Sequence, residues 1–249
     1  MTASTFEEAH EAAKTIPGWL TPAQAKRLWD LAEAVPPDGT IVEIGSYHGR
    51  STTLLGKSAD PEVVVVAIDP HGSTIRTHDV IEGQEDEAEA VHKLFLENLE
   101  QHGVRDRITY IRKSSHAALW DVEGKVDMLF IDGSHDYIPA RNDIREWGSR
   151  VADGGTMLIH DSFTSIGVTL AILSTLVTSD SFRYVGRAGS LTEYKRERLD
   201  KEARKRNSRK LLGLLPYLAR NILVEILLLA RLRPLTKYLG YDTTQNWPH

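Results

Sequence analysis

The sequence predicts an α/β fold, with a seven-stranded, mostly parallel sheet, one antiparallel strand, and helices on both faces. Three observations carry that expectation. Short runs rich in Val and Ile alternate with helix-like stretches along most of the chain, as parallel crossover units require. The runs mostly lack polar/apolar alternation, as strands covered on both faces do. Near residue 190, a Gly-containing pair of short strands reads as a hairpin, which puts one strand antiparallel to the rest.

In order, a helical pattern opens the chain up to Lys14, and a second covers Pro22–Ala34. Thr21 is its cap, Pro22 its first helical residue, and Pro36-Pro37 its stop. Strands are expected at Thr40–Ile44, Val63–Ile68, Ile108–Ile111, Val126–Ile131 and Thr156–Ile159. The helices between them are Ser51–Lys57, Glu85–His102, Ser115–Trp120 and Pro139–Arg150. Ile166–Thr178 forms a further helix before the strands Phe182–Val185 and Leu191–Tyr194. This divides the chain into N-terminal helices (1–39), a catalytic domain (40–194) and an appendage (195–249). His71–Gln84, polar and Gly-containing, is long enough to cover a site.

At 249 residues, 41% apolar and 26% charged, the chain affords a core without staples. It has no cysteine, which excludes disulfides, thiolate zinc sites and a cysteine nucleophile. A polar, acidic start and no unbroken run of 18 apolar residues suggest a cytoplasmic protein without a spanning helix. Net charge is −5, but residues 195–237 hold 13 Lys/Arg against 4 Asp/Glu, or +9, leaving −14 for the remainder. An acidic body argues against general nucleic-acid binding.

Thr40–Ser51 reads as strand, glycine turn and helix start. Gly45 and Gly49 allow a sharp turn and close approach to a ligand at the helix N-terminus. The spacing is not G-x-G-x-x-G, so a dinucleotide phosphate clamp is disfavoured. Asp69 ends the second strand 26 residues after Glu43, where a carboxylate accepts ribose hydroxyls. The competing reading is a tight corner with a loop-capping aspartate. The string EIGSYHGRST resembles the first motif of class I methyltransferases, which have a Rossmann-like fold, and particularly that of catechol-type and macrolide-sugar O-methyltransferases. That resemblance implies S-adenosylmethionine as cofactor. It assigns Glu43, Gly45, Ser46, Gly49 and Ser51 to its methionine part, Asp69 to its ribose, and Ser114 and Ser115 to the adenine side.

Asp132 ends the fourth strand and Asp161 follows the fifth. These strands are expected to be neighbours, about 4.8 Å apart. Two carboxylates so placed repel unless a cation lies between them, and a hard divalent ion such as Mg²⁺ answers that need. His135, three residues after Asp132, can face the same pocket as a base. Helix capping by the aspartates is the alternative. DGSHDY followed by HDS resembles the metal-dependent macrocin and mycinamicin sugar O-methyltransferases. That resemblance makes Asp132 and Asp161 metal ligands and His135 the general base. His160 stands where the family favours glutamate; as a third ligand, an imidazole suits Mn²⁺ or Zn²⁺ better than Mg²⁺. The acceptor implied is a sugar or glycoside hydroxyl, with mannosides of mycobacterial polymethylated polysaccharides as the candidate class.

His48, His71, His78 and His116 fall on loops flanking the cofactor edge, where loop support is the default and His71 and His78 have the best claim to a ligand. The basic tail has three readings: packing on the body, a homo-oligomer surface, or a membrane-surface helix. The last would fit a lipid-linked acceptor. Rival functions are a catechol-type methyltransferase, a nicotinamide-dependent oxidoreductase and a non-catalytic scaffold.

Overall fold

A computed structural model describes residues 5–72 and 84–241, with backbone only for 84–87. Seven strands form one sheet: β1 (Thr40–Ile44), β2 (Val64–Ile68), β3 (Ile108–Ile111), β4 (Val126–Ile131), β5 (Val151–Ile159), β6 (Phe182–Ala188) and β7 (Leu191–Arg196). Their order is β3-β2-β1-β4-β5-β7-β6. β7 pairs antiparallel with both β5 and β6, while the pairs from β3 to β5 are parallel. The chain reverses its direction of travel across the sheet between β1 and β4, and open α/β sheets bind ligands at such a crevice.

Alternate residues of each strand serve two cores. Val42, Ile44, Val66, Ile68, Leu129 and Ile131 face one core, shared with α5 (Tyr137–Glu146) and α6 (Ile166–Thr175). Ile41, Val65, Ala67, Met128 and Phe130 face the other, filled by Leu28 of α2 (Pro22–Glu33), Leu55 of α3 (Arg50–Ser58), and Phe95 and Leu99 of α4 (Gln84–Gln101). The opening helix α1 (Phe6–Ala13) begins at a capping box formed by Thr5 and Glu8.

Several expected bounds change. β5 starts at Val151 rather than Thr156, because Asp153-Gly154-Gly155 is accommodated as a register shift against β4. Ser115–Trp120 is not an α-helix; only Ala117–Trp120 makes a 3₁₀ turn. Its carbonyls go to side chains instead, Ser115 O to Trp147 Nε1 at 3.0 Å and Leu119 O to Arg150. β7 continues to Arg196, two residues past the expected domain end, where Arg196 Nη1 donates to Gly148 O. The tail forms α7 (Lys201–Leu212), α8 (Leu215–Leu229) and α9 (Arg233–Thr236). The helical stretch Lys201–Leu229 is long and apolar enough to cross a membrane by length and composition, with mean hydropathy 1.7 over its most apolar window. His78 and most of the expected covering segment lie outside the described residues.

Candidate active site

Sheet register brings the chemistry to one level. Ile44 pairs with Ile68 and Ile131, and Ile131 pairs with Ile159. The next residues, Gly45, Asp69, Asp132 and His160, therefore leave the sheet side by side. Each still donates its N–H to a neighbouring strand: Gly45 to Ile68 O, Asp69 to Ile111 O, Asp132 to Ile44 O and His160 to Ile131 O. Gly45 has φ +88°, and a Cβ there would lie 2.2 Å from Asp132 O. Only glycine lets the first loop touch the turn that carries Asp132. Tyr47, His71, Asp161 and Phe163 all have positive φ, a strained choice for residues with side chains, and all lie at this edge.

The β1–α3 loop forms the cofactor edge. Glu43 is fully buried beneath it, and Oε2 accepts from Thr52 Oγ1. Burial pushes its carboxyl up to about 8, against the pull of the Ser51 and Thr52 hydroxyls and with help from the charges of Asp132 and Asp69. Glu43 Oε1, Ser46 Oγ, His48 Nδ1 and Thr53 Oγ1 are buried without hydrogen-bond partners among the described residues. Buried polar atoms are rarely left so. Their concentration at one loop fits a polar ligand that completes them. Gly49 caps α3 at φ +88° and packs on Phe95.

Asp69 Oδ2 accepts from Tyr47 N at 2.8 Å, and Oδ1 from His71 N at 2.7 Å. A carboxylate oxygen has two lone pairs, so each retains one for a ribose hydroxyl. His71 is buried: Nε2 lies 2.6 Å from Tyr47 O and Nδ1 lies 2.6 Å from the Tyr110 hydroxyl. A carbonyl only accepts, so Nε2 carries the hydrogen and Nδ1 accepts from Tyr110, whose hydroxyl also lies 2.9 Å from Asp69 O and shares its one hydrogen between the two. Burial holds His71 below the ordinary histidine value despite the Asp69 charge, which keeps this neutral form. His71 thus supports the loop. Ser115 Oγ donates to Asp143, and Ser114 Oγ accepts from Ala117 N at 3.3 Å, so both serine side chains are engaged locally. His116 is exposed and pairs with Glu146 at 2.9 Å.

The acidic edge is built differently. Ligand atoms of Asp132, His135 and Asp161 lie within 4.8 Å of one another. His135 Nε2 is 2.8 Å from Asp161 Oδ2, and its side chain is 56% exposed, facing outward from the pair. His160 is buried with Nδ1 3.0 Å from Asp132 Oδ1 and 3.3 Å from Asp161 Oδ2, close approaches without hydrogen-bond alignment. Burial alone would lower His160, but the two carboxylates outweigh it and raise it well above its ordinary value. His135 is raised by its bond to Asp161, against burial. Burial would raise Asp161, yet the two imidazoles hold it below the carboxylate range. Gly167, at the start of α6, fits against His135, since a Cβ there would lie 2.1 Å from His135 O.

Against known proteins, residues 42–162 match a family described as a methyltransferase domain. The matched span, 121 of the 249 residues, is similar to that domain. The enzyme class expected from the glycine loop, an S-adenosylmethionine-dependent methyltransferase, stands on that match. The matched span runs from β1 to the residue after Asp161 and so holds Glu43, Asp69, Asp132, His135 and Asp161. Solved structures share the fold at low identity. Cofactor-bound Rv0187 from MTB is 19% identical, with TM-score 0.52 and coverage of 78% of this chain and 88% of that one. The O-methyltransferase NovP is 16% identical, with TM-score 0.54 and coverage of 71% and 80%. SAH-bound PaMTH1 from Podospora anserina is 14% identical, with TM-score 0.53 and coverage of 77% and 87%.

Sequence reasoning missed two parts of this site. Tyr110 lies in β3 and looks like core until its hydroxyl is seen on His71. Trp19 precedes α2 and stacks 5.9 Å from the Tyr47 ring, which stacks in turn on His48 at 3.8 Å. The aromatic pair at 47–48, inside the glycine turn, was the available signal for that stack.

Proposed function

We propose that this protein transfers a methyl group from S-adenosylmethionine to a hydroxyl of a sugar or glycoside, with a divalent cation held by Asp132 and Asp161. The observation that carries this reading is the Asp132–His135–Asp161 cluster at the switch point, beside a loop with unsatisfied buried polar atoms. Two carboxylates with an adjacent imidazole suit Mg²⁺ or Mn²⁺. A cation held there would supply Lewis acidity to an acceptor hydroxyl beside Asp132 and Asp161. Asp69 holds the cofactor's ribose with its spare lone pairs, and the Gly45–Gly49 turn receives its amino-acid end. Ser114 and Ser115 line the adenine side through backbone. His135, outermost in the cluster, takes the acceptor's proton on a ring nitrogen; Asp161 orients that ring. His160 lies between the two carboxylates and fixes their spacing, and the third ligand position belongs to it when its ring is neutral. A mannoside is the acceptor class that the sequence resemblance favours.

Chelation tests the reading. EDTA is expected to abolish methyl transfer to a glycoside panel, with recovery on adding Mg²⁺ or Mn²⁺. Asp132→Ala and Asp161→Ala should each lose about 10³-fold in turnover, equivalent to several kcal/mol. Both should still bind S-adenosylhomocysteine by calorimetry. Full activity in metal-free buffer would refute the cation site, and turnover of catechols but not glycosides would move the acceptor class.

A further inference from the structure

Helix α8 is built inside out relative to an ordinary surface helix. Its solvent face carries Leu215, Leu223, Ile226 and Leu229, at spacings that keep them on one side, and Leu229 is 84% exposed. Leu212 before it and Leu232 after it extend the exposed apolar strip. The charged residues of α8, Arg220 and Glu225, are half-buried rather than exposed. The polar groups turn inward instead: Asn221 Nδ2 donates to Phe163 O at 3.0 Å, and Arg220 Nε to Leu239 O at 2.7 Å. Asn221 and Val224 are buried against the body, two residues beyond Asp161 in the case of the Phe163 contact.

A membrane-spanning role does not fit this attachment. The 15 residues of α8 make about 22 Å of helix against a hydrocarbon core of about 30 Å. The middle of α8 is bonded to the domain, so lipid cannot surround it, and α7 is densely charged. An in-plane arrangement satisfies both facts.

Charge decides what covers the strip. Arg209 and Lys210 stand at one end, Arg231, Arg233 and Lys237 at the other, and residues 195–237 sum to +9 while the rest sums to −14. A second copy laid symmetrically on this face would oppose like charge to like. An anionic lipid surface attracts the tail and repels the acidic body, which sets one orientation. We propose that α8 lies in the plane of an anionic bilayer surface, with Leu223, Ile226 and Leu229 entering the acyl boundary and the flanking cations at the phosphates.

The test uses the full chain in vesicle co-sedimentation, with no methyl transfer involved, so it fails or succeeds apart from the proposed function. Expected is binding to vesicles of phosphatidylcholine mixed with phosphatidylglycerol, weakened by salt and absent from phosphatidylcholine alone. Leu223→Glu and Ile226→Glu change exposed positions, so a folded circular dichroism spectrum should persist while binding drops at least tenfold. Arg231→Gln and Arg233→Gln should each weaken binding about fivefold. No binding to anionic vesicles, equal binding to neutral ones, or unchanged binding by folded Leu223→Glu overturns the proposal. So does sedimentation equilibrium showing an oligomer that Leu223→Glu dissociates, since the strip then belongs to a second copy.

Discussion

The two halves of the sheet's carboxyl edge solve opposite problems. At the β1–β2 half, Asp69 is met by backbone N–H groups of Tyr47 and His71, and the loop above it is tied down by His71 and Tyr110. At the β4–β5 half, Asp132 and Asp161 meet imidazoles, and one of those imidazoles is buried without an aligned hydrogen bond. The first half is a preformed receptor whose shape the chain supplies. The second is a charge arrangement that His160 balances only in its protonated form, so it stays responsive to an arriving cation. A methyltransferase needs both: fixed placement of the cofactor, and a polarisable place for the oxygen that attacks it.

The largest expected effect falls on the acidic half. His135→Ala should lower turnover by about 10²–10⁴-fold, the usual contribution of a general base, while S-adenosylhomocysteine affinity stays within a few-fold. If His135→Ala is near wild type and His160→Ala is inactive, the base lies on β5 and the comparison loses its outward-facing imidazole. Next comes Asp69→Ala, which removes two charge-assisted hydrogen bonds to ribose, roughly 1.5–3 kcal/mol each. It also frees the Tyr47 and His71 N–H groups. Calorimetry should show cofactor affinity reduced by at least tenfold with metal-dependent fluorescence or heat at the acidic half unchanged. Unaltered affinity in the folded variant would sink the ribose assignment.

How legible the two halves were follows from their construction. Strands β1, β3 and β4 are bounded in sequence as in space, because Val/Ile runs covered on both faces leave little choice of element. Gly45, Gly49 and Asp69 were readable because a sharp turn and a strand-end carboxylate are local demands. The contact of Gly45 with Asp132 O is not local and appears only when β1 and β4 pair. Asp132 and Asp161 were found through the expected adjacency of their strands. His160 was named beside them as a third ligand, but the position of its ring within reach of both carboxylates appears only once β4 and β5 pair. Ser115–Trp120 is not a helix for a similar, non-local reason: Trp147 and Arg150, from a later segment, take the carbonyls of Ser115 and Leu119.

Glu43 lies between the two halves and feels both, and its carboxyl is pushed up to about 8 chiefly by burial. The folded state then holds the proton more firmly than the unfolded chain does. Its contribution to stability is complete below about 4.5 and is lost as pH rises through about 8, at about 1.4 kcal/mol per pH unit within that window. Glu43→Gln keeps a neutral group of the same shape, so urea midpoints of the variant should fall less with pH than those of wild type. Parallel pH profiles would mean that Glu43 is ionised in the fold, and that a cation or donor reaches its unpartnered oxygen.

The smallest expected effect tests whether the cofactor half is truly preformed. Tyr47 sits at φ +44°, a strained position that its own hydrogen bonds to Asp69 and His71 maintain. The ring of His71 can hold Tyr47 O only while its hydrogen stays on Nε2, and Tyr110 enforces that by donating to Nδ1. Tyr110→Phe deletes the hydroxyl that serves both His71 Nδ1 and Asp69 O, while the ring still packs against Phe95 at 4.8 Å. A lost buried hydrogen bond is worth about 0.5–1.5 kcal/mol. The unbound loop should relax, and ordering it on binding should reduce S-adenosylhomocysteine affinity by about two- to tenfold. Turnover at saturating cofactor should hold, because nothing at the acidic half moves. Should turnover fall while affinity holds, the tie from Tyr110 reaches past the loop, and the two halves are coupled through Gly45 rather than independent.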